Sequence, residues 1–579
     1  MNINSDNILN KLQSSMTGAI SNHNQIMARV LNWRVEIDAD SVINAPEHNK
    51  TGKAGLVSKD IKKVIESSLP SLVEPYLNRD IATAQGTDVM SDEKSDVVES
   101  MLNYQWNYGN STLPFMEQLV RDLQVDGTVF IKSIWNGSKD MPKGEICNID
   151  SIIVDPSATT LEDAKFVIER KKISISDILN NPNWFGKHSL ETLKSLGSAS
   201  TTDFDREEVG IDNSFNFDSR LQQLIDVNAY YGEMEIDGKL VNVVSIWSDD
   251  FVLNTMPSPY PNNWKHPFDC EVYTRVTGSI YGESVAELLS VNQKISTGLR
   301  RAILNNLQAG TDGQKGIKKG VLDIVNKRKF HEGNNFEYLS NAGLDIWEGR
   351  FAETPPSVYE LLDRTQADSE ELTGISRLNG GLDPRALNSG VSATASSLVN
   401  SNSERRLLLI TRHISSLLEN MFRKWLDLNA LMLDNGSVRV GGKLLDVTSF
   451  DIEGNFDVNI SIATSGQKQQ KAQQLSMVLQ QLATNPNIPQ SLVIKLTAEM
   501  TGAMDMYETQ EELMSLAQQM QMQEQQPQQQ DPMQQAQVQM EMQAKQASIA
   551  KDNAQAKKYE ADAVETFVDT EMKSYGVTA

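Results

Sequence analysis

A Gly-rich loop late in the chain constrains the fold most, because no helix can run through it. The loop reads Ser376-Arg-Leu-Asn-Gly-Gly-Leu-Asp-Pro-Arg-Ala-Leu-Asn-Ser-Gly390. Its pair Gly380-Gly381 costs a helix about 1 kcal/mol per residue, and Pro384 lacks a backbone donor and disfavours helical geometry just before it. We therefore predict that one helix ends near Gly374 and that another begins at Ser392.

Apolar residues at helical spacing flank this loop on both sides. The predicted helices are Glu283 to Ala309, Ser357 to Ile375 and Ser392 to Met432;. Because the loop has little apolar anchorage, it is either functional or a disordered connector. Its polar side chains that could touch a ligand are Arg377, Asn379, Arg385 and Asn388.

A basic segment, Thr311 to Arg350, separates the first two of these helices. Its clustered cations are Lys315, Lys318, Lys319, Lys327, Arg328 and Lys329. The stretch Val321 to Val325 within it is strand-like. Such a cluster could bind DNA or an acidic partner, and it could equally be a solvated hairpin.

The overall charge excludes bulk attraction to nucleic acid. The chain has 579 residues with 53 Lys and Arg against 77 Asp and Glu, a net charge of −24. Phosphate binding depends on cationic neutralisation, so any contact with nucleic acid must be local or weak. The two cysteines, Cys147 and Cys270, form no metal-ligand pattern and indicate a reducing compartment. We see no signal peptide and no apolar run of membrane-spanning length.

The N-terminal half predicts an antiparallel α+β unit. Predicted helices are Met1 to Ala39, Ser58 to Leu69, Ser91 to Tyr108 and Leu113 to Asp126, and Pro70 is expected to interrupt the second;. Predicted strands are Thr128 to Trp135, Glu145 to Asp155, Ala164 to Lys172, Leu224 to Glu235, Lys239 to Trp247 and Phe251 to Asn254;. Two later strand segments, Gly436 to Leu445 and Phe456 to Ile462, could complete this sheet.

The C-terminal part predicts helices and then a Gln-rich tail. The helices are Gln467 to Ala483, Pro489 to Thr501 and Thr509 to Gln523;. From Met533, apolar and small residues recur at steps of three and four, which predicts a weak heptad seam. A seam this thin is marginal alone, so we expect the tail to pack beside copies of itself.

Enzymatic signatures are largely missing from the sequence. It has no phosphate-binding Gly-x4-Gly-Lys-Ser/Thr loop, no Gly-x-Ser-x-Gly elbow and no His-Glu-x-x-His motif;. One set, Asp155 with Glu169 and Lys171, resembles the acidic pair and lysine of a metal-dependent nuclease. An Asp-Pro turn followed by an amphipathic strand explains the same residues, and we expect no catalysis, metal or cofactor.

The order of these parts resembles the portal proteins of tailed bacteriophages, especially the large portals of short-tailed phages. The resemblance rests on Asp155-Pro156 before Ala164-Lys-Phe-Val-Ile-Glu-Arg170, on Tyr281-Gly-Glu-Ser284, and on Thr373-Gly-Ile-Ser376 before the loop and the helix through Arg405-Arg406. It covers about residues 56 to 515. It implies a ring, commonly of about twelve copies, that replaces one capsid vertex and carries the genome in packaging and ejection.

The resemblance also assigns the parts of an α+β portal fold. Residues 1–282 and 435–465 would form an α/β wing with the long helix 392–434, and 283–309 and 356–375 the stem helices. Residues 310–355 would form the clip, 376–391 the tunnel loop, 466–515 a helical crown and 516–579 a C-terminal helical barrel.

The same resemblance implies partners and a location. The clip cations would meet the terminase packaging motor and the tail adaptor proteins, and the loop residues from Arg377 to Asn388 would face DNA without reading its sequence. Major capsid and scaffolding proteins would surround the ring in the virion, after assembly in the host cytoplasm and without a membrane. Two alternatives stay open, namely the nuclease and a coiled-coil scaffold or adaptor dominated by the tail.

Overall fold

The structure is a computed structural model of the full chain. It describes residues 5–40, 53–88, 91, 94–196, 221–236, 238–261, 264–311, 315–317, 322–331, 346–348, 354–375, 393–433, 436–440, 443–447, 452, 454, 456–460, 465–482, 490–503 and 507–524. Two compact units divide the chain, Met1–Gln467 and Lys468–Ala579.

Fourteen α-helices occur within the described residues. They are α1 Ser5–Asp38, α2 Asp60–Val73, α3 Ser95–Gly109, α4 Thr112–Asp126, α5 Ile175–Asn180, α6 Pro182–Phe185, α7 Leu190–Ser195, α8 Val285–Thr311, α9 Ile324–His331, α10 Pro356–Thr373, α11 Ala393–Met432, α12 Ser465–Leu482, α13 Gln490–Ala503 and α14 Tyr507–Glu524. In the second unit, α13 packs against α14.

Fourteen strands accompany them in the described part of the chain. They are β1 Ala82–Gly86, β2 Thr128–Asn136, β3 Met141–Cys147, β4 Ile152–Val154, β5 Phe166–Ser174, β6 Leu224–Ile236, β7 Lys239–Ser248, β8 Phe251–Pro257, β9 Phe268–Val272, β10 Lys315–Ile317, β11 Ile346–Glu348, β12 Gly436–Val440, β13 Lys443–Val447 and β14 Phe456–Ile460. The mixture of helices and antiparallel strands confirms the α+β class.

Two antiparallel sheets organise the first unit. One has the order β4-β5-β6-β7-β8, and the other has the order β3-β2-β9. Three strand pairs, β1 with β14, β10 with β11 and β12 with β13, form separate two-stranded sheets. Phe130 on β2 is opposite Cys147 on β3 and opposite Cys270 on β9. The two free cysteines are thus about 9.6 Å apart across two strand spacings, too far for a disulfide;.

The main core lies around the three-stranded sheet. On one face, Lys132 of β2 contacts Tyr231 of the five-stranded sheet. On the other face α11 packs closely, and a Cβ on Gly144 of β3 would lie only 2.7 Å from the sulfur of Met421. Edge-to-face aromatic pairs join Trp106 of α3 to Phe422 of α11, at 5.6 Å between ring centroids. The small sheet is therefore held between a larger sheet and a long helix.

A second, smaller cluster fastens the N-terminal helix. Ile8, Leu12 and Ala19 of α1 are buried against the outer face of the five-stranded sheet, where Ile168 and Trp247 are also buried. This placement explains why the first half of a long polar helix is ordered, since its apolar residues cover a sheet face that is otherwise exposed.

Five details of the predicted elements were wrong. The predicted strand Glu145 to Asp155 is two strands in different sheets, because a 3-10 turn at Ile149–Ser151 redirects the chain. Both the backbone N–H and the hydroxyl of Ser151 donate to the carbonyl of Asn148, which holds that turn. Pro70 does not interrupt α2, which continues to Val73 because Leu69, Leu72 and Val73 are buried.

The other three errors concern the basic segment and the later strands. In the predicted strand Val321 to Val325, the described residues 322–325 form no strand, since α9 begins at Ile324, where the side chain of Asp323 accepts the Asn326 N–H at 2.7 Å as an N-terminal cap;. Residues Gly436 to Leu445 do not complete the earlier sheet, because β12 and β13 pair with each other. The predicted strand Phe456 to Ile462 does not complete it either, because β14 pairs with β1 in a separate sheet.

Within the described residues, no helix combines the length and the apolar character needed to cross a membrane.

Candidate assembly surface and channel residues

The motif Tyr281-Gly-Glu-Ser284 forms the entry to α8. The N–H of Gly282 donates to the Thr128 hydroxyl at 2.9 Å, and the N–H of Glu283 donates to the carbonyl of Thr274 at 3.0 Å. The Ser284 hydroxyl then accepts the Ala286 N–H at 2.9 Å, which caps the first turn of the helix;. The chain therefore leaves the sheet at a fixed angle.

Polar side chains attach α8 to its own subunit. Gln293 accepts the N–H of Ile61 at 3.0 Å, and Thr297 accepts the N–H of Ser58 at 3.0 Å. Further along, Arg300 pairs with Asp60 at 3.4 Å. The side of α8 that faces the start of α2 is thus hydrophilic, although it is buried at Gln293 and Thr297.

α10 runs antiparallel to α8 and packs along it. The side chain of Asn292 donates to Ser369 at 3.0 Å, and the side chain of Asn306 donates to Thr354 at 2.9 Å. α10 ends at Gly374, whose φ of +72° is left-handed and whose N–H donates to the Glu370 carbonyl at 2.8 Å;. This confirms the helix end predicted near Gly374. We call α8 and α10 together the helix hairpin.

Apolar side chains of the helix hairpin are exposed in the isolated subunit. Val291 and Ile295, one turn apart, lie on the side of α8 opposite Gln293 and Thr297, and Val291 is 64% exposed;. The remaining exposed apolar residues of the hairpin are Leu304, Leu307, Tyr359, Leu361 and Leu372. Beyond the buried Leu289, the side of α8 that faces its own subunit is polar, whereas Val291 and Ile295 on the opposite side are exposed, and exposed apolar side chains one helical turn apart mark an interface;.

The predicted cations of the basic segment are only partly described. Lys327, Arg328 and Lys329 lie on α9 and are exposed, next to Ile324, which is 88% exposed. Lys315 lies in β10 and is opposite Glu348 of β11 in the strand register. Lys318 and Lys319 lie outside the described residues. The structure thus brings three of the six cations onto one short helix.

The four loop residues expected to face DNA cannot be assigned a position. Arg377, Asn379, Arg385 and Asn388 all lie outside the described residues. The same is true of the heptad seam in the tail after Glu524. Their proposed roles stay predictions from the sequence.

The three nuclease residues do not form one site, because Asp155 is separated from Glu169 and Lys171, which contact each other at 2.8 Å. The carboxylate of Asp155 accepts the Ser157 N–H at 2.9 Å and the Lys165 N–H at 3.2 Å, so it closes a turn. Ile152 is opposite Glu169 in the register, and Asp155, three residues further on, points to the other face of the sheet;. Among the described residues no group of three or more His, Cys, Asp or Glu side chains could hold a metal ion.

Glu169 instead belongs to a buried ion-pair cluster that sequence reasoning missed. Its carboxylate accepts from Lys132 at 2.6 Å and from Lys171 at 2.8 Å. Lys132 also donates to the Tyr231 hydroxyl at 2.8 Å and lies 5.5 Å from the ring centre of Phe268. Burial opposes the charge on both partners, yet their mutual attraction lowers the pKa of Glu169 and raises the pKa of Lys132;.

The sequence does contain a signal for this cluster, namely charged residues within otherwise apolar strands. Lys132 stands among the apolar residues of β2, and Glu169 follows the buried Val167 and Ile168 of β5. Oppositely charged residues inside two buried strands predict a cross-sheet pair, because neither charge is stable there alone.

The sequence matches a known family. A family model described as Phage SU10 portal protein matches residues 136–548, which include the five-stranded sheet, β3 and β9 of the three-stranded sheet, the helix hairpin and α11 to α14. The match spans well over half of the chain. It supports a structural role in the phage capsid, and this chain is therefore a member of the phage SU10 portal protein family.

Proposed function

We propose that this portal protein assembles into a closed ring whose central channel conducts double-stranded DNA during packaging and ejection. The observation that carries the proposal is the helix hairpin, which binds its own subunit through polar groups and leaves Val291 and Ile295 exposed. Identical subunits in head-to-tail contact cover such a surface when the rotation closes a ring. Family membership supports the same assembly.

In this proposal the helix hairpin is the stem, and the other parts take the roles that the resemblance implies. Residues 310–355 form the clip, 376–391 the tunnel loop, and 466–515 and 516–579 the crown and barrel. The two sheets with α1 to α7, α11 and β12 to β14 form the wing. The ring occupies one capsid vertex of the virion, after assembly in the host cytoplasm.

The partners follow from these positions. The exposed cations Lys327, Arg328 and Lys329 dock the terminase motor and later the tail adaptors. Capsid and scaffolding proteins contact the outside of the ring. DNA passes without sequence readout, since the chain carries a net charge of −24 and an acidic wall does not hold phosphates;.

Two matched substitutions test whether the exposed apolar side of α8 is the interface between subunits. Val291→Asp places a charge on the proposed interface, and Leu240→Asp places one at a site that is 73% exposed near the β6–β7 turn. We expect Val291→Asp to raise the concentration needed for half assembly by about tenfold or more, because a buried unpaired carboxylate is costly. Leu240→Asp should assemble as the unmodified chain does.

Mass measurement in solution and circular dichroism give the readout. Both variants should show the same helix content, so that a loss of assembly reflects the interface and not the fold. Equal assembly of the two variants would contradict the assignment of α8 to the ring interface.

A further inference from the structure

An open groove beside β9 is a second surface that the proposed stem contact does not use. The groove has a volume of about 550 Å³ and lies between β9, α11 and the turn from Thr159 to Glu162. The connection from β9 to α8 adds Ser279 and Ile280 to its wall. We call this the edge groove.

Within the described residues, β9 has no neighbouring strand on the side of this groove. β9 is the last strand in the order β3-β2-β9. The N–H of Ser133 donates to the Pro267 carbonyl at 2.9 Å, and the N–H of Tyr273 donates to the Gly127 carbonyl at 3.0 Å. Since hydrogen-bonding direction alternates along an antiparallel strand, Phe268, Cys270 and Val272 direct their backbone groups away from β2.

Side chains of α11 cover two of these three positions. Lys424 donates to the Phe268 carbonyl at 2.7 Å, and the Nδ1 of His413 lies 3.2 Å from the Val272 carbonyl. Cys270, between them, has no backbone partner in the part of the chain that the structure describes. An unpaired position on a strand edge can pair with another strand.

A buried carboxylate among the residues that line the groove also lacks one donor. The Oδ1 of Asp269 accepts from Lys424 at 2.9 Å. Its Oδ2 is sealed from solvent and has no hydrogen-bond partner among the described residues. Burial raises the pKa of Asp269, although the Lys424 ammonium opposes this effect. Buried acceptors are almost always satisfied in folded proteins, so the missing donor points to a group from another chain.

We propose that the edge groove receives an extended segment of a second copy of this chain, which bonds the backbone of Cys270 and donates a Lys or Arg side chain to Asp269. Strand addition to a sheet edge supplies both kinds of contact, because side chains on neighbouring strands lie about 5 Å apart. The inference rests on the proposed ring.

Continuity with the proposed stem favours a second copy as the occupant. Residues 273–284 lead directly from β9 into α8, and the bridge between Thr274 and Glu283 folds this connection back on itself. Ser279 and Ile280 of the same connection line the groove. The edge groove and the exposed side of α8 are therefore joined by one short, fixed piece of chain.

Hydrogen exchange of the full-length protein tests the proposal. Exchange at the single amide of Cys270 is compared between dilute monomer and assembled ring, by mass spectrometry with fragmentation that preserves the label. We expect exchange of the Cys270 amide to slow by about tenfold or more in the ring. The amides of Asp269 and Glu271 face β2, so their exchange is slow in both states and serves as the internal reference.

Two substitutions distinguish a specific contact of Asp269 from the mere loss of one negative charge near the groove. Asp269→Asn should raise the assembly midpoint about tenfold, since a charged acceptor is lost. Glu271→Gln is the matched control, because the Glu271 carboxylate already accepts from Arg275 at 3.0 Å. If Asp269→Asn fails to fold, the exchange of the unmodified chain decides alone.

Each remaining outcome is informative. Rings in which the Cys270 amide exchanges as fast as in the monomer overturn the inference and leave the proposed function standing. Protection that appears only when capsid or adaptor proteins are added also overturns it, because the occupant is then not a second copy. Failure to form any ring overturns the proposed function together with this inference.

Discussion

Lys132 and Glu169 show how a buried charged pair can have a structural role. Lys132 is 6% exposed and Glu169 2% exposed at their side chains, and the two are 2.6 Å apart. Neither charge is stable alone in such a place, so each partner makes the burial of the other possible. The pair joins the three-stranded sheet to the five-stranded sheet, and its chemistry is that of a structural link.

Removing one partner should therefore be costly. Glu169→Gln leaves the ammonium of Lys132 without its counter-charge, and we expect a loss of about 3–5 kcal/mol in the free energy of unfolding. Glu145→Gln is the control, since Glu145 contacts Lys171 at 3.6 Å on the surface and should cost less than about 1 kcal/mol;. Urea unfolding of the dilute subunit, followed by tryptophan fluorescence, measures both. Similar losses for the two variants would contradict a structural role for the buried pair.

Asp122 is a second, half-buried carboxylate, and the nearby Arg34 is bonded to its neighbour Asp126. Burial and the adjacent charge of Asp126 raise the pKa of Asp122 to about 7. Arg34 bonds both oxygens of Asp126, at 2.8 and 2.9 Å. The folded subunit therefore holds a proton on Asp122 more tightly than the unfolded chain does. Stability from this group is fully present below the ordinary pKa of 3.8 and is lost as the pH rises from there through about 7;.

The substitution Asp122→Asn mimics the protonated side chain at every pH. We expect it to stabilise the subunit by about 1–2 kcal/mol more at about pH 8 than at about pH 5, because only the unmodified carboxyl ionises between them. Thermal unfolding of both proteins across that range measures the difference. A gain that does not change with pH would show that Asp122 is ionised throughout.

At the scale of elements, the contact between the end of α4 and the entry to α8 fixes the direction of the helix hairpin. Gly127 follows α4 with a φ of +72°, and a Cβ there would lie 2.7 Å from the backbone of Glu283. A Cβ on Gly282 would in turn lie 2.7 Å from the carbonyl of Gly127. The two backbones touch without side chains between them, so the first turn of α8 is held directly against the sheet.

Gly282→Ala should disturb this contact. The added methyl group has only backbone and Val272 around it, none of which can move cheaply, so we expect a loss of about 2–4 kcal/mol in stability;. Gly298→Ala is the control within α8, because a Cβ there meets nothing within 4 Å. Thermal unfolding of the two variants provides the comparison. A Gly282→Ala subunit as stable as the Gly298→Ala subunit would show that the entry can relax.

Long elements were predictable from the sequence because their signals are local. The helices α4, α8, α10 and α11 and the strands β5 to β7 follow apolar periodicity, caps and glycine stops, and the structure agrees with them closely. Short strands such as β1 and β9 were missed because five residues carry little periodicity;. The pairing of β1 with β14 joins residues 82 and 460, and no local pattern can report such a contact.

The candidate site was predictable only in part. Apolar spacing predicted the two helices of the hairpin and the run of cations marked the basic segment, but the polar, buried side of α8 depends on hydrogen bonds from the backbone of Ser58 and Ile61, which lie more than 230 residues away in sequence. The environment of the Asp269 carboxylate likewise depends on Lys424 of α11, which bonds one of its two oxygens. Such features arise from tertiary contacts, and sequence spacing does not contain them.

At the scale of the whole molecule, charge is distributed in a way that suits a conduit with a docking end. The chain as a whole is strongly acidic, yet Lys327, Arg328 and Lys329 stand together on α9, exposed beside the apolar Ile324. An apolar residue within a basic patch is typical of a protein interface, where steering comes from charge and affinity from the buried side chain.

Reversing these charges should weaken docking without affecting the ring. Lys327→Glu with Lys329→Glu should reduce binding of the packaging motor by about tenfold or more at low salt, since like charges then oppose each other. The reduction should shrink as salt is added. Binding is measured by surface capture of assembled rings, and Lys239→Glu with Lys194→Glu, at two exposed sites outside α9, is the control. Unchanged motor binding by the α9 variant would move the docking site elsewhere.

The central claim is that the exposed apolar side of α8 closes a ring around a channel, and direct measurement of mass and shape tests it. The full chain is purified alone, and light scattering and negative-stain imaging are performed across a range of concentrations. The account predicts rings with a central hole and a mass of about twelve times 64.5 kDa;. A compact dimer, or a monomer that persists at the highest concentration while Val291 and Ile295 stay exposed to solvent, would contradict it.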